Sequence, residues 1–294
     1  MTTFAQYVLD ALSVGSTYAM LALGLTLVFS VMNLINFAYG LLLVWTAYAV
    51  YLLGGVGMPF WLTVPLAIAF AAVVSVAMGR IAFRPFIGAP PITLLITSFG
   101  VLLIGQYAAI LLFGEQPRVL EVPAVFSTVI EVGDLRIATL QLVAIGCGIL
   151  VVGAFFALLY WTPFGMELRA SAEQPATARL MSIKPDRILI MAFAISGVIA
   201  GIAGLLWFMK VGAVTPRSDL EPTLKAFIGL VLGGLGRISG AILGGLALGG
   251  IEVALSMFLP QGALAYTPTL VFAAVIAVLV FRPNGLSGRQ GVAT

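Results

Sequence analysis

The sequence contains no histidine and only one cysteine, Cys147. The absence of histidine excludes metal sites and general bases built on this residue, and it excludes Ser-His-Asp triads. A single cysteine cannot form a disulfide within the chain. No Gly-Lys pair occurs, which excludes the phosphate-binding loop of P-loop ATPases. We therefore expect no catalytic residue, no metal site and no cofactor in this chain.

Charged residues are also scarce, at 9% of the chain, whereas 62% of the residues are hydrophobic. Soluble domains carry about 25% charged residues. Runs of roughly 20 apolar residues recur along the chain, and each is long enough to cross a hydrocarbon layer about 30 Å thick. No alternating strand pattern is visible, and helices satisfy their own backbone hydrogen bonds in lipid. The composition predicts an all-α polytopic membrane protein.

Eight apolar runs divide the chain. They cover residues 5–31, 37–53, 60–79, 92–113, 139–161, 188–211, 224–258 and 268–282. We expect about eight to nine membrane helices, with two interrupted helices among them. No intervening stretch is long enough, or low enough in complexity, to separate domains. Residues 1–294 are predicted to form a single transmembrane domain.

The distribution of Lys and Arg predicts the orientation in the membrane. Segments 80–91 and 162–187, with the tail after residue 281, hold eight basic and three acidic residues. The opposite set holds five basic and seven acidic residues, and comprises residues 1–10, 54–59, 114–138, 210–225 and 259–267. Since cytoplasmic loops carry an excess of Lys and Arg, we expect the N-terminus outside and the C-terminus in the cytoplasm.

Two apolar stretches, one in each half of the chain, are interrupted by polar residues or glycine. The first interruption lies in "SVMNLINFAYG" (30–40) and the second in "GRISG" (236–240). The run 224–235 before the second would be only about 18 Å long as a helix. Such paired breaks are typical of a transport path lined by broken helices. We hypothesise a pseudo-symmetric inverted repeat whose breaks approach each other near mid-membrane; two hairpins packed through small residues are the alternative.

The breaks and one acid within an apolar run supply the candidate residues of the path. They are Asn33, Asn36, Tyr39, Gly40, Gly236, Ser239, Gly240 and Glu252. Asn33 and Asn36 would share a helix face if the helix continued, and they either cap a helix end or bind a polar solute. Glu252 is a candidate because ionisable residues inside membrane segments are usually functional. The favoured alternative is a structural role for Glu252, either in a pair with Arg237 or near the outer interface of the membrane.

The stretch 162–187 is too polar to cross a membrane. Residues 166–173 can form a short helix, and Pro175 suits the first turn of a second helix that ends before Lys184. Small residues and charges on such helices favour a docking element, although an ordinary amphipathic loop helix is the alternative.

Four motifs in chain order resemble the permease subunits of branched-chain amino-acid ABC importers of the LivH type. They are "GLTLVFSVMNLINFAYG", "RASAEQPATARLMSIKPDRI", "AFIGLVLGGLGRISGAILGG" and "FRPNGLSGR". The resemblance spans about residues 15 to 289. It implies that the chain forms half of a translocation path for branched-chain or other hydrophobic amino acids in the bacterial inner membrane. It also implies that 162–187 couples to an ATPase through Glu167, Arg169, Ala170, Ser171, Glu173 and Arg179.

The resemblance further implies a set of partners. These are a second, LivM-like permease, two ATP-binding subunits that hold ATP and Mg²⁺, and a periplasmic or lipid-anchored substrate-binding protein. The chain departs from the family pattern at Tyr39, Arg237 and Ser239, so leucine-like amino acids, other amino acids, short amides and urea all stay open as substrates. The rival functions are an ion-coupled secondary transporter, for which Glu252 is the one good candidate, and a membrane scaffold without transport activity.

Overall fold

The computed structural model of the chain describes residues 2–133, 135–173, 185–282 and 285–286. The α-helices in this part of the chain are α1 (Thr2–Met32), α2 (Tyr39–Gly55), α3 (Phe60–Met78), α4 (Pro91–Phe113), α5 (Ala124–Ser127), α6 (Thr139–Trp161), α7 (Pro163–Glu173), α8 (Pro185–Val211), α9 (Leu220–Gly233), α10 (Ile238–Phe258) and α11 (Thr267–Phe281). Helix α3 continues into a π-helical turn, Gly79–Phe83, and a 3₁₀ turn, Arg84–Phe86, while a further 3₁₀ segment, Gln261–Tyr266, precedes α11.

Four short strands complete the described structure. They are β1 (Arg118–Val119), β2 (Val129–Val132), β3 (Leu135–Ala138) and β4 (Ala213–Val214). Strands β2 and β3 form an antiparallel hairpin, and β1 pairs with β4 in antiparallel register. The apolar periodicity did not reveal these strands, which lie in the polar loops between helices.

Six of the described helices are long and apolar enough to cross a membrane: α1, α3, α4, α6, α8 and α10. Helices α2 and α11 are shorter but equally apolar. Helix α9 has 14 residues and would span only about 21 Å. The predicted all-α polytopic class, the eight to nine helices and both interruptions are confirmed. The inverted repeat stays a prediction.

The chain forms two compact units, each built from separate stretches of sequence. The first contains the described residues of Met1–Thr26, Val122–Ile149 and Leu224–Thr294, and the second those of Leu27–Glu121 and Leu150–Thr223. The chain passes from one unit to the other inside α1, α6 and α9, and once more in the loop between Glu121 and Val122. The interpretation of the whole chain as one membrane domain stays a prediction.

Glycines set the helix spacing in the first unit. A Cβ added to Gly244 of α10 would lie 2.0 Å from the carbonyl oxygen of Gly229 in α9. A Cβ on Gly245 would lie 2.4 Å from the backbone of Ala19 in α1. Backbone cannot yield as a flexible side chain can, so these contacts require glycine. Close approach through small residues is the usual way in which membrane helices associate.

The second unit is built around α2, α3 and α8, which pack pairwise against each other. Ser75 of α3 donates a hydrogen bond of 2.6 Å to the carbonyl oxygen of Phe193 in α8. The ring of Phe193 stacks on Phe83 with 5.4 Å between the ring centroids. Helix α2 is consequently enclosed by protein along most of its first three turns.

Contacts between loops support the prediction, made from the charge pattern, of which segments lie on the same side of the membrane. In the first unit the Gln6 side chain exchanges two hydrogen bonds with the Arg136 backbone, which joins segments 1–10 and 114–138. In the second unit β1 pairs with β4, which joins 114–138 and 210–225. Arg84 donates a 2.8 Å hydrogen bond to Asp186 and so joins 80–91 to 162–187. Within each unit, segments assigned to the same side of the membrane therefore meet.

Candidate functional site

The first break begins where α1 ends. Asn33 adopts a left-handed backbone conformation with φ of +51°, which asparagine tolerates better than most residues. This turn stops the helix, so the shared helix face expected for Asn33 and Asn36 does not form. Asn33 is exposed, whereas Asn36 is only 1% exposed.

Asn36 organises the turn that leads into α2. Its Oδ1 accepts a 3.1 Å hydrogen bond from the backbone N–H of Ala38, and its carbonyl oxygen accepts one of 3.2 Å from the N–H of Tyr39. A side chain that bonds the backbone two residues ahead is an Asx turn. The interpretation of Asn36 as a residue that stabilises a helix end is therefore supported.

Two hydrogen-bond donors in this break have no partner among the described residues. They are Nδ2 of Asn36 and the hydroxyl of Tyr39, and both are fully buried. Each such group costs about 1–3 kcal/mol when nothing replaces its lost water. Because buried polar groups are nearly always paired, two donors three positions apart that lack partners among the described residues indicate a functional feature.

The start of α2 meets two other elements of the second unit. A Cβ added to Gly40 would lie 1.9 Å from Oγ1 of Thr223 and 2.4 Å from the carbonyl oxygen of Asp219. A Cβ on Gly105 of α4 would lie 2.1 Å from the side chain of Leu41. We call this meeting point the Asp219 junction; its members are Gly40, Leu41, Gly105, Gln106, Asp219 and Thr223.

Asp219 places a carboxylate in the interior of this junction. Its exposure is 1%, and its Oδ1 accepts a 2.7 Å hydrogen bond from Nε2 of Gln106 in α4. Burial raises the pKa of the Asp219 carboxyl, while the hydrogen bonds from Gln106 and from its own backbone N–H act in the opposite direction. No cationic side chain in the described ranges forms an ion pair with it.

Sequence reasoning missed Asp219. The charge count treated it as an ordinary acid in the loop 210–225, and an Asp just before a helix is common because it caps the helix. Only its burial and its contact with Gln106, 113 positions away, distinguish it from a solvated capping residue.

The second break is a glycine turn between α9 and α10. Gly234 and Gly236 have φ of +104° and +78°, a backbone conformation that favours glycine. Ser239 is exposed, while Gly240 is buried and its carbonyl oxygen would lie 2.0 Å from a Cβ on Gly233. Glycine at 233 thus serves the close packing of the α9–α10 hairpin. The predicted approach of the two breaks stays a prediction.

Glu252 belongs to a buried polar cluster in the first unit. The Lys225 ammonium of α9 forms an ion pair with Glu252 Oε2, to which the Tyr18 hydroxyl of α1 also donates at 2.8 Å. Lys225 further donates a 2.9 Å hydrogen bond to Tyr18. Arg237 lies 15 residues before Glu252, about 22 Å along the helix, so it is not the partner that the sequence suggested. The cluster favours the structural interpretation of Glu252.

None of these acids belongs to a metal site. Within the described ranges, no three His, Cys, Asp or Glu residues come together in a group that could hold a metal ion.

Sequence reasoning also missed the role of Lys225. The charge count treats Lys225 as an ordinary loop charge, although its side chain is only 8% exposed. Its apolar neighbours in the sequence gave no sign of the acid 27 positions later.

Helix α7 is the predicted cytoplasmic helix, and it begins three residues earlier than expected, at Pro163. Oγ1 of Thr162 accepts a 3.2 Å hydrogen bond from the N–H of Gly165 and so caps the helix. Leu168 is buried, and the helix packs against α8. The guanidinium of Arg169 lies 4.7 Å from the ring centroid of Tyr160. These contacts hold α7 firmly on the second unit.

The other predicted coupling residues are placed unevenly. Glu167, Ala170 and Ser171 are half-buried on α7. The side chain of Glu173, the whole of Arg179 and the predicted second helix lie outside the described residues. Their role in coupling stays a prediction.

The ion pair leads to a prediction about stability. Lys225→Met would leave the Glu252 carboxylate without its cation, and we expect the free energy of unfolding to fall by about 3 kcal/mol or more. The double variant Lys225→Met/Glu252→Leu removes both charges and should recover much of this loss. Thermal unfolding in detergent measures both effects. An equal loss in the single and double variants would contradict the structural role.

Comparison with known proteins identifies the family. Residues 7–281 match the family model of the branched-chain amino acid transport system permease component. The high-affinity branched-chain amino acid transport system permease protein LivH of Escherichia coli K12 is 31% identical, over 98% of this chain and 97% of LivH. The corresponding protein BraD of Pseudomonas aeruginosa is 32% identical, again over 98% and 97% of the two chains.

A solved structure has the same fold. PsaBC from Streptococcus pneumoniae, determined in complex with a Fab, matches with a TM-score of 0.51 at 13% identity, over 95% of this chain and 92% of that chain. The interrupted helices and the four motifs belong to a chain whose family is established by the family model and by the two relatives. The predicted permease function is confirmed: the chain belongs to the family of permease components of branched-chain amino acid transport systems.

Proposed function

We propose that this chain is one of two homologous permease subunits of an ATP-driven importer, and that it carries branched-chain or other hydrophobic amino acids. The observation that carries the proposal is the first break, where Nδ2 of Asn36 and the Tyr39 hydroxyl are buried without hydrogen-bond partners among the described residues. The names of LivH and BraD support the class of substrate.

The chemistry of the break suits an amino acid in transit. A helix that stops inside a membrane leaves backbone N–H and C=O groups without helical partners. Those groups have to face protein, water or solute, because lipid cannot satisfy them. The α-carboxylate of an amino acid can accept hydrogen bonds from Asn36 and Tyr39. An apolar side chain can meanwhile slide past the Leu and Val residues of the path.

The partners of the importer form part of the same proposal. Two ATP-binding subunits hydrolyse Mg-ATP and dock on α7, and a substrate-binding protein delivers the amino acid from outside. The second permease is a homologous, LivM-like chain. A binding protein that sets the affinity makes a tight site within the membrane unnecessary.

Two rival functions receive less support. An ion-coupled secondary transporter rested on Glu252, and this carboxylate is engaged by Lys225 and Tyr18. A scaffold without transport activity gives no reason for unpartnered donors in an interrupted helix. The dependence of uptake on ATP separates the importer from both.

Transport by the reconstituted complex tests the function. We expect uptake of L-leucine into proteoliposomes only with ATP inside and binding protein outside. Asn36→Leu should lower the maximal rate more than it changes the apparent affinity, because the binding protein sets the affinity. Asn33→Asp is the matched control, since Asn33 is exposed and Asp also tolerates the left-handed backbone of this position. Uptake driven by a proton or sodium gradient without ATP would contradict the proposal.

Helix α7 gives the prediction for coupling. Ala170→Arg adds bulk and charge to a half-buried position on the helix that is proposed to dock, so we expect loss of transport-coupled ATP hydrolysis. Ala170→Ser, which barely changes the size of the side chain, should retain coupling. Gel filtration checks that the membrane domain stays folded and reports assembly with the ATPase. Normal assembly and hydrolysis in Ala170→Arg would overturn the docking role.

The proposed orientation puts the N-terminus outside and α7 in the cytoplasm. A cysteine in place of Met166, which is 62% exposed on α7, should be protected from an impermeant thiol reagent in intact cells. A cysteine in place of the exposed Ser127 should react. Both variants carry Cys147→Ser so that the native thiol is absent. The reverse labelling pattern would invert the topology.

A further inference from the structure

Among the described residues, the buried Asp219 and the partly buried Glu252 hold their carboxylates in very different surroundings. Glu252 is neutralised by the Lys225 ammonium and bonded by the Tyr18 hydroxyl, so its charge is fully accounted for. Asp219 is more deeply buried, and among the described residues its carboxylate accepts hydrogen bonds only from the neutral amide of Gln106 and its own backbone N–H. A charge removed from water without a counter-charge is costly, and membrane proteins retain such a group where it has a function.

Capping of α9 does not account for the Asp219 side chain. A capping carboxylate accepts from backbone N–H groups two or three positions ahead. Here the residue three positions ahead is Pro222, which has no N–H, and Thr223 donates to the backbone carbonyl of Asp219 rather than to its carboxylate. The carboxylate is instead fixed by Gln106 from a different helix, α4.

The position of Asp219 points to what it binds. Its backbone lies against Gly40, the residue after Tyr39 at the start of α2, so it borders the first break. That break contributes two unpartnered donors, Asn36 Nδ2 and the Tyr39 hydroxyl. A zwitterionic amino acid needs an acceptor for its ammonium and donors for its carboxylate, and the region around the start of α2 supplies both kinds of group.

We propose that Asp219 is a substrate-binding residue of the permease and that its carboxylate receives the α-ammonium group of the amino acid as it passes the first break. Gln106 is the positioning residue that holds the carboxylate. The inference rests on the proposed function and adds to it a residue that selects for the α-amino group. It also reverses the roles expected for the acids: Asp219 serves the substrate, and Glu252 the structure.

The test uses the complete importer in proteoliposomes with saturating binding protein. Asp219→Asn keeps the shape of the side chain and removes its charge, Asp219→Glu keeps the charge, and Glu221→Gln removes an exposed acid two residues away as the matched control. We expect Asp219→Asn to lower the maximal rate of L-leucine uptake by about tenfold, the effect of losing one hydrogen bond between charged groups. Asp219→Glu should be faster than Asp219→Asn, and Glu221→Gln should match the wild type.

A binding measurement distinguishes recognition from a purely structural role. Without binding protein, the importer in nanodiscs is titrated with millimolar L-leucine or with its 2-hydroxy analogue, which lacks the ammonium group. Saturation-transfer NMR should show a preference of the wild type for leucine, and Asp219→Asn should lose this preference. If the Asn variant does not assemble, absence of the preference in the wild type still overturns the inference.

The outcomes also separate this inference from the proposed function. A wild-type complex without ATP-dependent leucine uptake would overturn the proposed function. A wild-type complex that takes up leucine, with Asp219→Asn equal to it in rate and in preference for leucine, would overturn the role of Asp219 alone.

Discussion

The structure depends on one constraint: lipid offers no hydrogen bonds, so every polar group within the membrane needs a partner in the protein, in trapped water or in the solute. Helices meet this constraint for the backbone, which is why 62% hydrophobic sequence folds almost entirely into helices. The same constraint applies wherever a helix is interrupted. Where α1 stops at Asn33 and α9 stops at Gly233, the side chains and glycines nearby have to satisfy or shield the freed backbone.

The exceptions are resolved in two ways. Around α10, glycines bring helices together until backbone touches backbone, and Lys225, Glu252 and Tyr18 satisfy one another in a closed cluster. Around the start of α2, the described residues leave donors of Asn36 and Tyr39 without partners and place no cation in an ion pair with Asp219. A satisfied cluster stabilises a fold, whereas an incomplete one can bind a ligand.

This contrast also bears on the difference between binding the substrate tightly and letting it pass. A permease served by a binding protein needs contacts that guide the substrate without retaining it. A few uncharged donors and one acid held by Gln106 suit that task better than a deep site with several charges. The packing of α7 against α8 suits the proposed docking of an ATPase, since a docking helix transmits force only when it moves together with the membrane helices.

The sequence by itself determined the helices, their breaks and the family, because long apolar runs, glycine turns and four ordered motifs are local properties of the chain. The predicted bounds of α4 and α6 agree with the structure to within a residue. The sequence also singled out Asn36 and Tyr39, since polar residues within apolar runs are visible without a fold. Only the tertiary structure decided which charges are buried and which are paired. In the sequence, Lys225 and Asp219 resemble ordinary loop charges. Their partners, Glu252 and Gln106, lie 27 and 113 positions away. The local sequence therefore does not show which carboxylate is paired with a cation and which is not.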